Sequence, residues 1–234
     1  MDIDKTSGLQ AFCSPPGSVA RTAMKLPRLI LADDHALVAE ALHQLLARHF
    51  DVVATVADGH ALVDAAISLK PDAAVVDVAM PLLNGLEAGR QIRVRLPNLK
   101  LIFLTMNADL ELAAEAIRVG ASGYLVKTSS GSELVYAIRQ ALRGRCHITP
   151  QIAGQIKDSW IKNPHSASHR KSLTPRQREV IQLLAEGKSM KEAAAVLGVT
   201  LRDIAFHKYS IMHKLGLTTN AAIVRFAMKN KILI

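Results

Sequence analysis

Short apolar runs in the front of the chain end again and again on a polar residue. Leu29–Ala32 runs into Asp33 and Asp34, Ala73–Val76 into Asp77, Leu101–Leu104 into Thr105, and Tyr124–Val126 into Lys127. Continuous apolar runs of this length read as parallel strands buried on both faces, and Val52–Ala57 reads as a fifth. The segments between them carry helical spacing. Ala36–His49 repeats Leu37, Ala41 and Leu45; Ala61–Leu69 follows Asp58-Gly59; Gly85–Leu96 follows the loop signal Met80-Pro81-Leu82-Leu83-Asn84; Leu110–Val119 stops at Gly120; and Ser132–Leu142 follows Ser129-Ser130-Gly131. Five alternating strand–helix units predict a doubly wound parallel sheet with helices on both faces. In such a sheet the carboxyl ends of the strands open onto one crevice. Three acids, a hydroxyl and an ammonium are therefore expected together there.

The pattern changes near residue 144. Residues 145–171 read as a polar linker with Pro150, Pro164, His165 and His169, and a short helix is expected over Thr149–Ile161. The two histidines lack a third ligand, so a solvated loop is the reading for them. Beyond the linker come short helices with capping signals. Thr174-Pro175-Arg176-Gln177 and Ser189-Met190-Lys191-Glu192 are capping boxes. Helices are predicted over Pro175–Glu186, Met190–Leu197, Leu201–Leu215 (with Thr200 as N-cap) and Asn220–Lys229. A short helix, a glycine turn and a longer helix make a helix-turn-helix.

Charge divides the chain at the same place. Residues 1–143 hold 14 Lys/Arg against 15 Asp/Glu, whereas residues 144–234 hold 15 against 5. A basic back half beside a neutral front half points to nucleic acid as the partner of the former. Apolar residues make up 50% of the 234 and aromatics 4%, so the cores are aliphatic. No apolar run reaches the roughly 20 residues of a membrane span. Residues 1–26, with Asp2, Asp4 and Pro15-Pro16-Gly17, read as a flexible extension rather than a signal peptide. Cys13 and Cys146 are too few for a disulfide framework, and a cytoplasmic location fits.

Residues 27–144 resemble the receiver domain of bacterial response regulators. The resemblance rests on Asp33-Asp34, Asp77, Met80-Pro81, Asn84-Gly85, Thr105, Tyr124 and Lys127, at spacings of 43, 28 and 22 residues from Asp34 through Asp77 and Thr105 to Lys127. It implies a flavodoxin-like fold and an aspartyl phosphate formed on Asp77. It also implies Mg²⁺ held by Asp34, Asp77 and the Ala79 carbonyl, with Asp33 acting through water. Magnesium is bound by few carboxylates plus waters and phosphate oxygens, which agrees with that donor set. Lys127 is expected to pair with Asp77 and then with the phosphoryl oxygens, Thr105 to donate to the phosphoryl group, and Tyr124 to turn inward as a switch. Two positions depart from the family habit. Met106 stands where a small residue is usual, which narrows access, and Thr128 replaces a proline. A haloacid-type phosphatase also uses a strand-end Asp, but it needs a second acid where Ala79 stands. The chain is read as a phosphoacceptor rather than an enzyme.

Residues 172–234 resemble the LuxR-type DNA-binding domain through Leu173-Thr174-Pro175-Arg176-Gln177-Arg178-Glu179-Val180, Glu186-Gly187-Lys188-Ser189, Leu197-Gly198-Val199, His207 and Lys214-Leu215-Gly216. The two resemblances together indicate the NarL/FixJ-type group of transcription factors. By family position Ala205, Phe206 and Tyr209 face base edges, while Lys188, Arg202, Lys208, His213 and Lys214 face phosphates. Apolar Ala205 and Phe206 suit thymine methyls, so a target that is A/T-leaning or read partly through shape is expected. Asp203 either weakens phosphate contacts or supports the helix start. The expected partners are duplex DNA, a sensor histidine kinase and, when active, a second copy joined through helix 220–229, with RNA polymerase as a further partner. Phosphorylation is expected to act through the face formed by residues 110–142. The alternative is a DNA-binding regulator whose receiver serves dimerisation or ligand sensing without phosphorylation.

Overall fold

The computed structural model describes residues 25–106, 108–155 and 173–233. The front part is a six-stranded sheet, every pairing parallel, in the order β2-β1-β3-β4-β5-β6. Its strands are β1 (Arg28–Ala32), β2 (Asp51–Val56), β3 (Ala73–Asp77), β4 (Lys100–Thr105), β5 (Gly123–Val126) and β6 (His147–Ile148). Five helices alternate with them: α1 (Ala36–Leu46), α2 (Gly59–Leu69), α3 (Gly85–Arg95), α4 (Leu110–Val119) and α5 (Gly131–Leu142).

Side chains alternate across the sheet, as strand geometry requires. Ile30, Ala32, Ala74, Val76, Leu101, Phe103 and Tyr124 face a cluster with Leu62, Ile92, Leu112 and Ala116 of α2, α3 and α4. Leu29, Leu31, Ala73, Val75, Ile102, Leu104 and Leu125 face the opposite cluster with Leu46 of α1 and Leu134 and Ile138 of α5. Both faces are covered, which explains why the strands read as unbroken apolar runs.

The segment read as a linker begins with structure of its own. β6 lies along β5, pairing His147 with Gly123 and Ile148 with Tyr124. Residues 150–155 are helical, and Ile152 is fully buried in the α2–α3–α4 cluster. The remainder of the predicted helix over 149–161, the His165 and His169 reading, and the extension up to residue 24 lie outside the described residues.

The back part is a bundle of α6 (Pro175–Ala185), α7 (Met190–Leu197), α8 (Leu201–Leu215) and α9 (Asn220–Lys229). Leu173, Val180, Ile181, Leu183, Ala193, Ile204, Ile211, Ile223, Ala227 and Ile232 form its core. Thr174 with Gln177, and Ser189 with Glu192, close the capping boxes that the sequence announces. No helix among the described residues is long and apolar enough to cross a membrane.

The two parts meet. α6 and the segment after α9 pack on the β3–α3 loop, on α3 and on the start of α4. The Gln182 side chain donates to the Met80 carbonyl at 3.1 Å and accepts the Asn84 N–H at 2.9 Å. Glu186 accepts the Leu82 N–H at 3.1 Å, and Asn84 Nδ2 donates to the Ile232 carbonyl at 3.1 Å. Arg178 pairs with the buried Glu87 at 2.9 Å, and Lys231 pairs with the α4 N-cap Asp109 at 2.7 Å.

Gly85 lets α3 start against β3. A Cβ there would lie 2.1 Å from the Asp77 carbonyl oxygen. The collision is with backbone, which has no rotamer in which to escape. We expect Gly85→Ala to cost on the order of 3 kcal/mol, the upper part of the usual range for overpacking, read as a lowered denaturation midpoint at unchanged slope.

Candidate functional site

Strand order reverses between β1 and β3, and the chemistry sits at that switch point, where an open α/β sheet has its crevice. Asp33 follows β1, Asp77 ends β3, Thr105 ends β4 and Lys127 follows β5. Asp33 and Asp77 are each 2% exposed and Thr105 is 5% exposed. Backbone pairing fixes their heights. The Val78 N–H donates to the Leu104 carbonyl, and the Lys127 N–H to the Thr105 carbonyl.

One ammonium joins two strand ends. Lys127 Nζ stands 2.7 Å from Asp33 Oδ2 and 2.8 Å from Asp77 Oδ2. The other Asp77 oxygen, Oδ1, accepts the Ala79 N–H at 3.2 Å. Burial pushes the Asp77 carboxyl above its ordinary value and Asp33's charge adds to that, while Lys127 and the Ala79 N–H pull it back. Burial lowers the Lys127 ammonium, but the two carboxylates outweigh it and the net direction is up.

Ligand atoms of Asp33, Asp34, His35 and Asp77 lie within 4.8 Å of one another. His35 is the member that the sequence reading passed over. Its ring Nδ1 lies 2.8 Å from Asp34 Oδ1, and its backbone N–H donates to Asp33 Oδ1 at 3.0 Å. Adjacency to the acid pair was the only signal for it. Three converging carboxylates form a hard oxygen donor set, which fits a small divalent cation such as magnesium. Ala79, whose carbonyl was expected to join them, sits two residues beyond Asp77 with its N–H on that carboxylate.

Tyr124 is fully buried on the α4 side of the sheet. Burial pushes its phenol up to about 12, against the pull of the Thr105 hydroxyl. Met106 is 62% exposed, so its thioether stands largely in solvent. Every described peptide bond is trans, including the one before Thr128.

In the back part α8 is the longer helix of the helix-turn-helix. Thr200 caps it in a capping box completed by Asp203, whose carboxylate accepts from the Thr200 N–H at 3.1 Å and hydroxyl at 2.7 Å. Asp203 thus supports the helix start. Of the expected base readers, Phe206 is 70% exposed, Tyr209 is 62% exposed and Ala205 is partly exposed. Arg202, His213 and Lys214 are exposed, while Lys188 and Lys208 are partly so. The receiver-side contacts fall on α6 and on residues after α9, so they leave this face of α8 open.

Residues 29–139 match the response regulator receiver domain family, and residues 171–227 match the LuxR family of bacterial regulatory proteins. The oxygen regulatory protein NreC of Staphylococcus aureus is 32% identical over 214 residues, spanning 88% of this chain and 99% of that protein. The chain is a LuxR-type response regulator. A LuxR-family two-component response regulator from Aurantimonas sp. SI85-9A1 is 34% identical with a TM-score of 0.56, covering 58% of the regulator and 99% of that chain. Salmonella typhimurium RcsB, at 25% identity and a TM-score of 0.54, covers 88% of the regulator and 99% of its own chain. An RcsB–DNA complex matches over the same shares at 25% identity and a TM-score of 0.53.

In this regulator the Lys127 ammonium stands between two buried carboxylates. Lys127→Met leaves them facing each other unpaired. Removing one partner of a buried pair costs about 3–5 kcal/mol, and we expect a loss of that order at neutral pH. Burial and Asp33 then both raise the Asp77 carboxyl with the lysine gone. A raised carboxyl favours the fold at low pH and opposes it as pH climbs past the ordinary 3.8. The deficit should therefore shrink in acid, and adding Asp77→Asn should restore part of it. Denaturant titrations at several pH values read both effects.

Proposed function

We propose that this response regulator accepts a phosphoryl group on Asp77 from a sensor histidine kinase and thereby controls sequence-specific DNA binding by its C-terminal helices. The observation that carries the reading is the placement of Lys127 Nζ against both Asp33 and Asp77 at the sheet's switch point. A buried carboxylate beside a fixed ammonium is a nucleophile whose product charge already has a partner. Asp34 and Asp77, with the Ala79 carbonyl, would hold Mg²⁺ directly, and Asp33 would act through water. The cation, when bound, offsets negative charge gathering on the phosphoryl oxygens.

The residues divide the work. Asp77 supplies the attacking oxygen. Lys127 leaves the carboxylate for the incoming phosphoryl oxygens. The Thr105 hydroxyl donates to the phosphoryl group, and Tyr124, already inward, fills the space under α4. The chain forms and loses its own acyl phosphate and is otherwise not an enzyme.

α8 enters the major groove, with Ala205, Phe206 and Tyr209 toward base edges and Lys188, Arg202, Lys208, His213 and Lys214 toward phosphates. The basic charge of the back half and the RcsB–DNA complex among similar structures support duplex DNA as partner. A homodimer on paired half-sites, RNA polymerase as a further partner and a cytoplasmic location complete the reading.

With magnesium and a small phosphodonor, full-length protein should gain one acid-stable, base-labile label. Asp77→Asn or excess EDTA should abolish it, and labelled protein should bind its sites more tightly than Asp77→Asn. Labelling that persists in Asp77→Asn sinks the acceptor assignment. Equal DNA binding with and without label favours a receiver that works without phosphorylation. Genome-wide binding of wild type and Asp77→Asn locates the targets.

On DNA, Lys208→Ala should weaken all sequences alike and flatten the salt dependence by about one phosphate contact. Phe206→Ala should instead lower the preference for the target over random duplex by roughly tenfold, the order of one lost base contact. Fluorescence anisotropy across a salt series separates the two.

A further inference from the structure

We propose that Gln182, on the DNA-binding side, is a positioning residue for the phosphoacceptor loop, so that the C-terminal helices restrain phosphoryl uptake at Asp77. The inference rests on Asp77 being the acceptor. The loop in question, residues 78–84, begins immediately after that residue.

Three backbone groups of this loop find partners on α6. The Met80 carbonyl accepts from Gln182 Nε2, the Asn84 N–H donates to Gln182 Oε1, and the Leu82 N–H donates to Glu186. Buried backbone groups require such partners. The Gln182 amide uses its oxygen and nitrogen on two different loop residues, and its nitrogen also donates to Glu186 Oε1 at 2.9 Å. One acceptor and two donors on a single planar group are what a glutamine offers and a glutamate does not. At 2% exposure the side chain has little room to do anything else.

Between the two anchoring points the backbone is strained. Leu82 holds a φ of 66°, a left-handed conformation that opposes a residue carrying Cβ. Its side chain packs against the core of the helical part. Such a conformation persists where the surroundings hold it: within the loop the Leu83 N–H donates to the Pro81 carbonyl at 2.7 Å, and from the other domain Glu186 and Gln182 hold the Leu82 and Asn84 N–H groups. The far side of the loop is fixed as well, since a Cβ at Gly59 would lie 2.1 Å from the Leu83 carbonyl oxygen.

Ala79 lies inside this clamped stretch, with its N–H on Asp77 and its carbonyl expected to meet the metal. Any loop adjustment that seats the cation and phosphoryl oxygens works against the Gln182 and Glu186 contacts. Because coupling is reciprocal, whatever loosens α6 from the loop favours metal and phosphoryl binding, and the reverse also holds.

The test uses the full chain as wild type, Gln182→Ala, Gln182→Glu and Glu186→Gln. The Mg²⁺ dissociation constant comes from calorimetry without phosphodonor, the labelling rate from acetyl phosphate, and hydrogen exchange is followed at the Leu82 and Asn84 amides. We expect Gln182→Ala to exchange faster at both amides, to bind Mg²⁺ about fivefold more tightly and to label about fivefold faster, the order of one ordinary hydrogen bond. Gln182→Glu should follow it despite its nearly equal volume, because it has no hydrogen for the Met80 carbonyl. Glu186→Gln keeps the shape and should shift less. Should Gln182→Ala fail to fold, Gln182→Glu decides. Wild type that labels on Asp77 while the variants match it, or label more slowly, overturns the positioning role alone. Wild type that takes no Asp77-dependent label overturns the acceptor reading beneath it.

Discussion

Everything at the crevice depends on one shared ammonium. β1 and β3 are neighbours at the point where strand order reverses, and each ends on a carboxylate shielded from water. Two such charges repel strongly where solvent screening is weak. Lys127, arriving from the end of β5, sits between both at 2.7 and 2.8 Å, offsets part of their repulsion and ties the end of β5 to those of β1 and β3, to which it is not adjacent in the sheet. The same interaction that permits these acids to be buried is, under the proposed function, the pairing that an incoming phosphoryl group would displace.

A second set of constraints comes from across the domain boundary. The loop after Asp77 is neither free nor self-sufficient. Its polar groups are completed by Gln182 and Glu186, and the Asn84 side chain caps α3 while its amide donates to the Ile232 carbonyl. The start of α4 is also occupied, through Asp109 and Lys231. The helical part therefore touches both the loop after Asp77 and the helix that follows the Thr105 strand, while Phe206 and Tyr209 face outward. In this arrangement the helical part packs on the receiver without covering the Phe206 and Tyr209 side of α8.

The sheet and its crevice were legible in the sequence because burial on both faces imposes a simple rule. Positions such as Val75, Val76 and Phe103 must be apolar, and the first polar residue after each run marks the strand end. Capping is equally local, so Thr174 with Gln177 and Ser189 with Glu192 could be read from spacing. Asp203 was readable only as two alternatives, since the choice depended on whether its carboxylate reached back to Thr200. The receiver contacts of Gln182 and Glu186 left no trace, because a polar residue awaiting a distant loop looks like one facing water. His35 was hidden for a different reason: a lone histidine beside acids has no spacing rule. The pairing of β6 was missed because two residues, His147 and Ile148, carry no periodicity.

That two-residue strand has a consequence for where the front domain ends in space. Without His147 and Ile148 the outer backbone of β5, including the Tyr124 carbonyl that accepts the Thr149 N–H, would be an open sheet margin. Bare margins invite strand addition from other chains. Cutting after α5 would strip this cover and unseat Ile152 as well. The molecule's natural seam therefore falls past residue 152, later than the end of the α/β alternation suggests.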